Sequence, residues 1–443
     1  MTRKRAFTLF LCLLMTAFVV LGPIMFQRCK VDYNKSYEHM KSEVRWRGVI
    51  TVWDYPRLNT SNGTKLTWIS AKIKQFEKQH PGVYIDFKEL DTATGHTLLK
   101  AAASTGAYPD VAPVGSVYYF MSEGLLEELD GALSEAEKAD FQPAALESAT
   151  YQGKLYGLPW MMTGYTLLLN TNLFNEKNIA LPQDGSWTYD QFAEAAKQLT
   201  YDSDRKKGPD VFGFHSFIQP GIYNNYGILM SDGAEIISSD NGRYVFDSPQ
   251  ALSGLQKLYQ LKHTYKVTPE NFGEASQSEV LNQFINGKAA IITAPSTTIP
   301  YLRNLANGST EFTTANYPTG SAEMPITIGS STCSFGVFKQ KDENKRKMCI
   351  ELVKFLTAAE GQEELKNYGY FPVRISGENM YQNDKEMSMV QRSLRYVEPI
   401  PRHKNWEQVD LILQSRIKAA IMGELTPEQS LEDAKELLRK YTE

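Results

Sequence analysis

Gly153-Lys-Leu-Tyr-Gly-Leu-Pro159 is the stretch that most constrains the fold of this chain. It leads into Trp160 and then into a strand-like apolar run from Thr166 to Asn170. A phrase from Thr105 to Val111 precedes it, and another from Ser186 to Phe192 follows it. Each phrase alone is weak evidence. Their joint order along one chain is specific.

Length and composition favour a large globular body. The chain has 443 residues, which suits two lobes of roughly 150–200 residues each better than a single core. Hydrophobic residues make up 42% and charged residues 22%, which are ordinary globular values. The 24 tyrosines can be core residues, and they also suit a cleft that holds a ligand by its flat faces.

The first 29 residues predict export, as a signal peptide or a membrane anchor. A basic start at residues 3–5 precedes an apolar run from Ala6 to Phe26. The run is long enough to cross a hydrocarbon core of about 30 Å. Cys29 follows, placed as a lipid-attachment cysteine, although Arg28 fits poorly beside a cleavage site. A lipidated Cys29 and an uncleaved apolar anchor therefore both stay open, and each places the body on the outer face of the cell membrane.

The charge balance gives no argument for nucleic-acid binding. Four of the 47 basic residues and none of the 51 acidic residues lie in the first 29 positions, so the exported body is mildly acidic. Residues 30–48 are polar and mixed in charge and predict a tether. Cys333 and Cys349 are interpreted as two buried thiols, because a protein of this size does not need a disulfide.

The body opens with the pattern of a parallel α/β sheet. Val49–Trp53 is a β-branched strand, and apolar residues at helical spacing follow from Leu66 to Phe76. His80-Pro81-Gly82 ends that helix, and Val83–Phe87 alternates as a strand. Further on, Thr188 with Gln191 predicts a capping box. Strand, helix and strand in this order imply an α/β fold.

The ordered phrases resemble the extracellular solute-binding proteins of ABC importers, in particular the sugar-binding group to which maltose-binding protein belongs. The resemblance runs from about Val49 to the C-terminus. Besides the phrases above, it rests on Phe76–Lys78 with Pro81–Val83, Gly124–Glu127, Phe284–Ala290, Gly336–Lys339 and Val353–Thr357.

This resemblance implies a two-lobed, type II periplasmic-binding-protein-like α/β fold. Each lobe would be a mixed sheet flanked by helices, with a hinge of several crossing strands. Residues 49–156 and 311–370 would form the first lobe, and residues 157–310 and 371–443 the second. Ligand would bind between the lobes at the carboxyl ends of the strands, as in open α/β sheets generally. The implied partners are a carbohydrate and the ABC permease subunits in the membrane, with the tethered receptor acting as a monomer.

Sugars present flat C–H faces and rims of hydroxyls, so aromatic rings, carboxylates, amides and hydroxyls are the candidate contacts. Several candidates have a structural alternative. Trp53 and Trp406 suit core packing, Ser116 suits a helix cap, and Asn224 with Asn225 suits a turn. The family often has an aromatic platform just after the strand at Ala289–Thr293, where this chain reads Ala294-Pro-Ser-Thr297 and the platform is missing. The candidate contacts are Trp53, Asp54, Gly115, Ser116, Tyr118, Trp160, Tyr165, Tyr223, Asn224, Ser296, Ser330, Arg374 and Trp406.

The enzyme classes find little support. The sequence has no Gly-x-Ser-x-Gly elbow, no His-Glu-x-x-His and no phosphate loop, and its six histidines lack metal-like spacing. We therefore expect no catalytic residue, no cofactor and no metal. A glycoside hydrolase, with two of Asp54, Glu89, Asp91 and Asp232 as its carboxylates, remains a distant alternative. A receptor for peptides or other solutes, or a sensory receptor of the same fold, also remains open.

Overall fold

The computed structural model describes residues 21, 46–92, 94–114, 118–203, 208–238, 242–305, 310–329 and 332–442. Cys29 and the tether up to residue 45 lie outside the described residues, as do Gly115, Ser116 and Ser330. Within the described part, no helix is both long enough and apolar enough to span a membrane.

The described chain alternates strands and helices. In chain order the strands are β1 (Gly48–Asp54), β2 (Val83–Glu89), β3 (Val111–Pro113), β4 (Thr150–Tyr151), β5 (Lys154–Leu155), β6 (Leu158–Met162), β7 (Tyr165–Asn170), β8 (Phe212–His215), β9 (Ala289–Pro295), β10 (Phe312–Ala315), β11 (Thr327–Gly329), β12 (Thr332–Val337) and β13 (Val397–Pro399). The α-helices are α1 (Thr67–Gln79), α2 (Gly95–Ser104), α3 (Tyr118–Ser122), α4 (Glu135–Ala139), α5 (Pro143–Ser148), α6 (Thr171–Glu176), α7 (Tyr189–Gln198), α8 (Tyr226–Leu229), α9 (Pro249–His263), α10 (Gln277–Ile285), α11 (Thr298–Leu305), α12 (Glu343–Leu356), α13 (Lys385–Ser393), α14 (Trp406–Met422) and α15 (Pro427–Thr442).

Local sequence signals set several of these boundaries, and the predicted capping box is among them. Thr188 and Gln191 form both hydrogen bonds of the capping box at the start of α7. Ser248 caps α9 by accepting a hydrogen bond from the Ala251 N–H. Gly423 ends α14 in the left-handed conformation, at φ 78°, which a residue with a Cβ rarely adopts.

Two mixed sheets form the two lobes. The first has the strand order β2-β1-β3-β12-β6, and β1 runs parallel to both β2 and β3. The second has the order β10-β7-β9-β8, in which β8 and β9 are parallel. The apolar faces of a sheet must be covered by other elements, and helices cover them here. Helices α9, α14 and α15 pack against the second sheet in one apolar core, to which Leu255, Val409 and Leu431 contribute.

Sheet membership differs from the predicted lobe boundaries at the first two of the three predicted crossings. Residues 158–162, assigned from the sequence to the second lobe, pair as β6 with β12 of the first sheet. Residues 312–315, expected to begin the return to the first lobe, pair as β10 with β7 of the second sheet. The chain therefore leaves the first sheet after β6 and rejoins it at β12, because the pairing partners of a strand, and not its position in the sequence, decide its sheet.

The hinge side also contains β13 and a shared apolar core. β11 pairs in parallel with β13, which leads into α14 of the second lobe. A single buried cluster includes Val52 of the first sheet and Ile292 of the second. Cys333 and Cys349 are both free thiols, as the sequence indicated, but only Cys349 is buried, whereas Cys333 is half-buried.

Candidate ligand-binding cleft

Helices that begin near the strand ends of the two sheets meet where the two lobes come together. Helix α2 begins just after the carboxyl end of β2, and α14 begins beside the loop that follows β8. The first turns of these helices meet, since Glu407 of α14 contacts His96 of α2. The edge at which open α/β sheets bind ligands is therefore the edge where the two lobes meet.

Trp53 lies at the carboxyl end of β1 in the first lobe. It is half-buried and packs against the cluster of Leu99, Ala112 and Phe338. Lys88 Nζ lies 4.2 Å from the centre of the Trp53 ring, in a cation–π contact. The residue therefore combines the predicted position at the strand end with partial core packing.

Asp54, the next residue, is fully buried and does not face the cleft. Its carboxylate forms a two-pronged ion pair with Arg57, in which Arg57 Nη2 lies 2.7 Å from Asp54 Oδ1 and Nη1 contacts Oδ2. The backbone N–H of Tyr55 also donates to Asp54 Oδ1 at 2.9 Å. A buried charge needs such partners, so Asp54 is occupied by its own chain, contrary to the position expected from the sequence.

Trp160 belongs to the same buried group. It is 2% exposed and stacks on Trp68 with ring centres 4.4 Å apart. The Arg57 guanidinium lies 4.7 Å from the centre of the Trp160 ring. In this arrangement the indole offers no open face to a ligand, although the sequence made Trp160 a candidate contact.

Tyr118 begins the short helix α3 and is half-buried. Its ring packs edge-on against Tyr151, with centres 5.3 Å apart. Burial raises the pKa of the Tyr118 hydroxyl, and a hydrogen bond with Tyr151 adds to this rise. The positive charge of Arg402 acts in the opposite direction and lowers this pKa, but burial outweighs it.

Three predicted aromatic residues meet on the second-lobe side. The Trp406 indole N–H donates to the Tyr223 hydroxyl at 3.0 Å, and the Tyr223 backbone N–H donates to the Tyr165 hydroxyl at 3.4 Å. Tyr223 and Trp406 are largely buried, whereas Tyr165 is half-buried. Burial raises the pKa of Tyr165 to about 12, so its hydroxyl stays protonated at neutral pH. The sequence placed these residues far apart, and the fold joins them.

Asn224 anchors the loop that bears Tyr223. Its side-chain amide donates to Ser216 Oγ at 3.0 Å, to the Phe217 carbonyl at 3.1 Å and to Thr293 Oγ1 at 2.9 Å. The residue is 1% exposed. It therefore holds the loop against the ends of β8 and β9 and has no surface turned to solvent.

Asp410 holds the same loop from α14, and sequence reasoning missed it. Its carboxylate accepts from the Gly221 N–H at 2.6 Å and from Gln414 Nε2 at 2.8 Å. Gln414 in turn donates to the Ile222 carbonyl at 3.2 Å. A signal was available, because Asp410 and Gln414 are one turn apart beside the apolar stripe of Val409 and Leu413.

Two other predicted contacts lie away from the cleft. Ser296 is fully buried and donates to the Gly369 carbonyl at 2.9 Å. Arg374 was expected in the second lobe, but residues 371 and 374 form bridges with first-lobe residues 162 and 141. The Arg374 guanidinium donates to the Thr357 carbonyl and lies 3.6 Å from the centre of the Phe141 ring. These contacts make it a structural residue of the first lobe.

The described residues contain no group of three or more histidine, cysteine or acidic side chains arranged to hold a metal ion. The cleft edge of this part of the chain instead combines half-buried aromatic rings with tyrosine hydroxyls. Such an arrangement suits recognition of a ligand by stacking and hydrogen bonding.

Residues 71–388 match the family model described as bacterial extracellular solute-binding protein. The match covers more than half of the chain, and the chain therefore belongs to this family, whose members are extracellular binding proteins. A binding protein of Brucella abortus is 25% identical over 374 residues, which is 82% of this chain and 86% of the relative.

More distant matches also cover most of the chain. The galactooligosaccharide-binding protein of Bacillus subtilis is 22% identical over 397 residues, covering 87% of this chain and 88% of the relative. An ABC substrate-binding protein of Listeria monocytogenes, solved in complex with cycloalternan, superposes with a TM-score of 0.72 at 20% identity. That superposition covers 89% of this chain and 99% of the Listeria chain, and it shows that the two chains share the two-lobed fold.

Proposed function

We propose that the chain is the substrate-binding receptor of an ABC importer and that it binds an oligosaccharide between its lobes. The observation that supports the proposal is the presence of aromatic residues in both lobes near the junction between them. Trp53 and Tyr118 belong to the first lobe, and Tyr165, Tyr223 and Trp406 belong to the second. Aromatic faces suit the C–H faces of sugar rings, and tyrosine hydroxyls suit their rims.

The relatives support the carbohydrate class. The Bacillus subtilis relative is named for galactooligosaccharides, and the Listeria neighbour was solved with cycloalternan. A ligand that contacts both lobes favours the closed form, in which the lobes are together. It shifts the equilibrium between the open and closed forms by the difference between its affinities for them. The closed receptor then delivers the sugar to the permease subunits. The receptor itself is a monomer without catalysis and without a cofactor.

The receptor is anchored at the outer face of the membrane. The apolar run from Ala6 to Phe26 and the cysteine at position 29 support this, through a lipid on Cys29 or through the uncleaved run itself. Either anchor keeps the cleft close to the permease.

Thermal unfolding of residues 46–443 against a panel of mono- and oligosaccharides tests the proposed function. A ligand at 100 times its Kd adds about 2.7 kcal/mol to the stability of the folded form. We expect a rise in Tm with one class of oligosaccharide. No shift across the sugars, with a shift in a parallel panel of peptides, would overturn the carbohydrate proposal.

Site variants locate the binding. Trp53→Leu is expected to weaken the binding of the sugar that the panel identifies. Tyr84→Leu is the matched control, because Tyr84 is an exposed aromatic at the opposite end of the first sheet. If the two variants bind the sugar with equal affinity, Trp53 is not part of the proposed site.

A further inference from the structure

Glu407 joins the two lobes through contacts with two residues of the opposite lobe. It lies in the first turn of α14, a helix that packs in the second-lobe core. Its partners, His96 and Lys100, lie on α2, which packs against the first sheet through Leu99. The cluster of these three ionisable side chains therefore spans the boundary between the lobes.

The geometry uses both oxygens of the Glu407 carboxylate. Oε1 contacts His96 Nε2, and Oε2 contacts Lys100 Nζ. His96 and Lys100 are four residues apart, which places them on one face of α2. The carboxylate thus bridges two successive turns of the first-lobe helix.

The first-lobe partners are held in place by their own lobe. Lys100 Nζ lies 4.4 Å from the centre of the Tyr119 ring, and the His96 ring lies 6.1 Å from that of Phe120. These contacts do not involve the second lobe. The partners therefore keep their positions when Glu407 moves away, which makes the contact suitable for repeated formation and loss.

The contact is only partly open to water. The side chains of Lys100, His96 and Glu407 are 21%, 33% and 37% exposed. Burial raises the pKa of Glu407, but hydrogen bonds and positive charges from His96 and Lys100 outweigh this and hold the pKa below its ordinary value. The carboxylate is therefore ionised at neutral pH, and it also lies at the favourable N-terminal end of the α14 dipole.

We propose that Glu407, His96 and Lys100 form an interlobe ionic latch, which exists only when the lobes are together. The latch raises ligand affinity without touching the ligand, because apparent affinity scales with the fraction of the protein in the binding-competent form. Its effect on affinity rests on the proposed binding function. Its effect on lobe separation does not.

A second ionic contact also joins the two lobes, so the latch is not the only charged contact between them. Arg402, in the segment before α14, donates to the Glu147 carbonyl and lies 3.7 Å from the Glu147 carboxylate. Both side chains are exposed, at 40% and 72%. Because exposed pairs contribute little, we expect the latch around Glu407 to dominate the charge-dependent part of closure.

The test compares Glu407→Gln with Glu428→Gln. Glu428 is also an acidic residue in the first turn of a second-lobe helix, α15, but its side chain bonds to Gln256 of the same lobe. Spin labels at positions 84 and 437, exposed on different lobes, report the distribution of interlobe distances by pulsed electron resonance. We expect Glu407→Gln to shift the ligand-free distribution to longer distances and Glu428→Gln to leave it unchanged.

Affinity for the sugar identified by the panel is the second readout. Breaking the latch is expected to weaken binding about three- to tenfold at low salt, and the difference should shrink at 1 M salt. Glu407→Lys and Lys100→Glu should each open the lobes, and the double reversal should restore the short distances at pH 8.

The outcomes separate the two proposals. Identical distance distributions for the wild type, Glu407→Gln and Glu428→Gln, or no rescue by the double reversal, would overturn the latch. A shifted distribution in a protein that binds no sugar would support the latch and overturn only the carbohydrate function.

Discussion

Two buried aspartates, one in each lobe, differ in how their charge is compensated. Asp54, at the end of β1, is fully buried and paired with the two-pronged guanidinium of Arg57. Asp410, on α14, is 3% exposed and has no salt-bridge partner among the described residues. Its carboxylate accepts hydrogen bonds from the Gly221 N–H and the Gln414 amide.

The difference shows in their roles. The Asp54–Arg57 pair packs with Trp68 and Trp160 and fixes the interior of the first lobe. Asp410 fixes a loop at the cleft, and burial raises its pKa to about 6, which its hydrogen bonds only partly offset. A paired buried charge makes a rigid core, whereas an unpaired one leaves a site that responds to pH.

Breaking the first-lobe pair should have the largest effect. Arg57→Met leaves the Asp54 carboxylate buried without its partner, and we expect a loss of about 3–5 kcal/mol in the free energy of unfolding, measured in urea. The double variant Asp54→Leu with Arg57→Met removes both charges and should be less destabilised than the single variant. A loss below about 1 kcal/mol in the single variant would show that the pair is not needed in the core.

A buried base in the second lobe sharpens the comparison. His215, at the end of β8, is fully buried, and burial lowers its pKa to about 4. Because the folded-state pKa is below that of the unfolded chain, the unfolded state takes up the proton first, and stability falls between about pH 6.5 and 4. We expect the wild type to lose about 3 kcal/mol relative to His215→Leu between pH 7 and pH 4. A constant difference between the two proteins would contradict the neutral buried histidine.

Asp410 should act with the opposite sign in an overlapping range. Its folded-state pKa is above that of the unfolded chain, so its contribution is greatest below about pH 4 and is lost as pH rises through 6. Asp410→Asn should therefore gain about 2–3 kcal/mol relative to the wild type between pH 4 and pH 7. Urea titrations at each pH measure the difference. A difference that falls with rising pH would mean that a cation pairs with Asp410 in solution.

The hydroxyl of Tyr223 should have the smallest effect. Tyr223→Phe removes the acceptor of the Trp406 indole N–H, and we expect a loss of about 1 kcal/mol in stability. Trp406→Phe should cost less in the Tyr223→Phe background than in the wild type, because the two residues share this bond. Additive losses in a double-mutant cycle would show that the bond does not couple the loop to α14.

Local signals in the sequence sufficed for the elements and the fold class. The β-branched run at Val49–Trp53 and the capping box at Thr188 each predict an element that the structure confirms, and Gly423 ends α14. These features act over a few residues, so they are legible without knowledge of the rest of the chain. The ordered phrases from Phe76 to Thr357 carried the family assignment.

The site was only partly predictable. Tyr165, Tyr223 and Trp406 were named from the sequence and do meet, but Trp160 and Arg374 lie in the interior of the first lobe. Whether an aromatic ring or an arginine faces ligand or core depends on what packs over it. For Trp160 those neighbours are Trp68, near in space but 92 positions earlier, and Arg57.

The sequence by itself determined a two-lobed α/β solute-binding protein, because strand, helix and capping patterns are local and their order is preserved along the chain. Only the tertiary structure decided which strand joins which sheet, which aspartate is paired, and that Glu407 meets His96 and Lys100 more than 300 residues away. Those outcomes depend on contacts between distant segments, and such contacts are fixed by burial and packing in three dimensions.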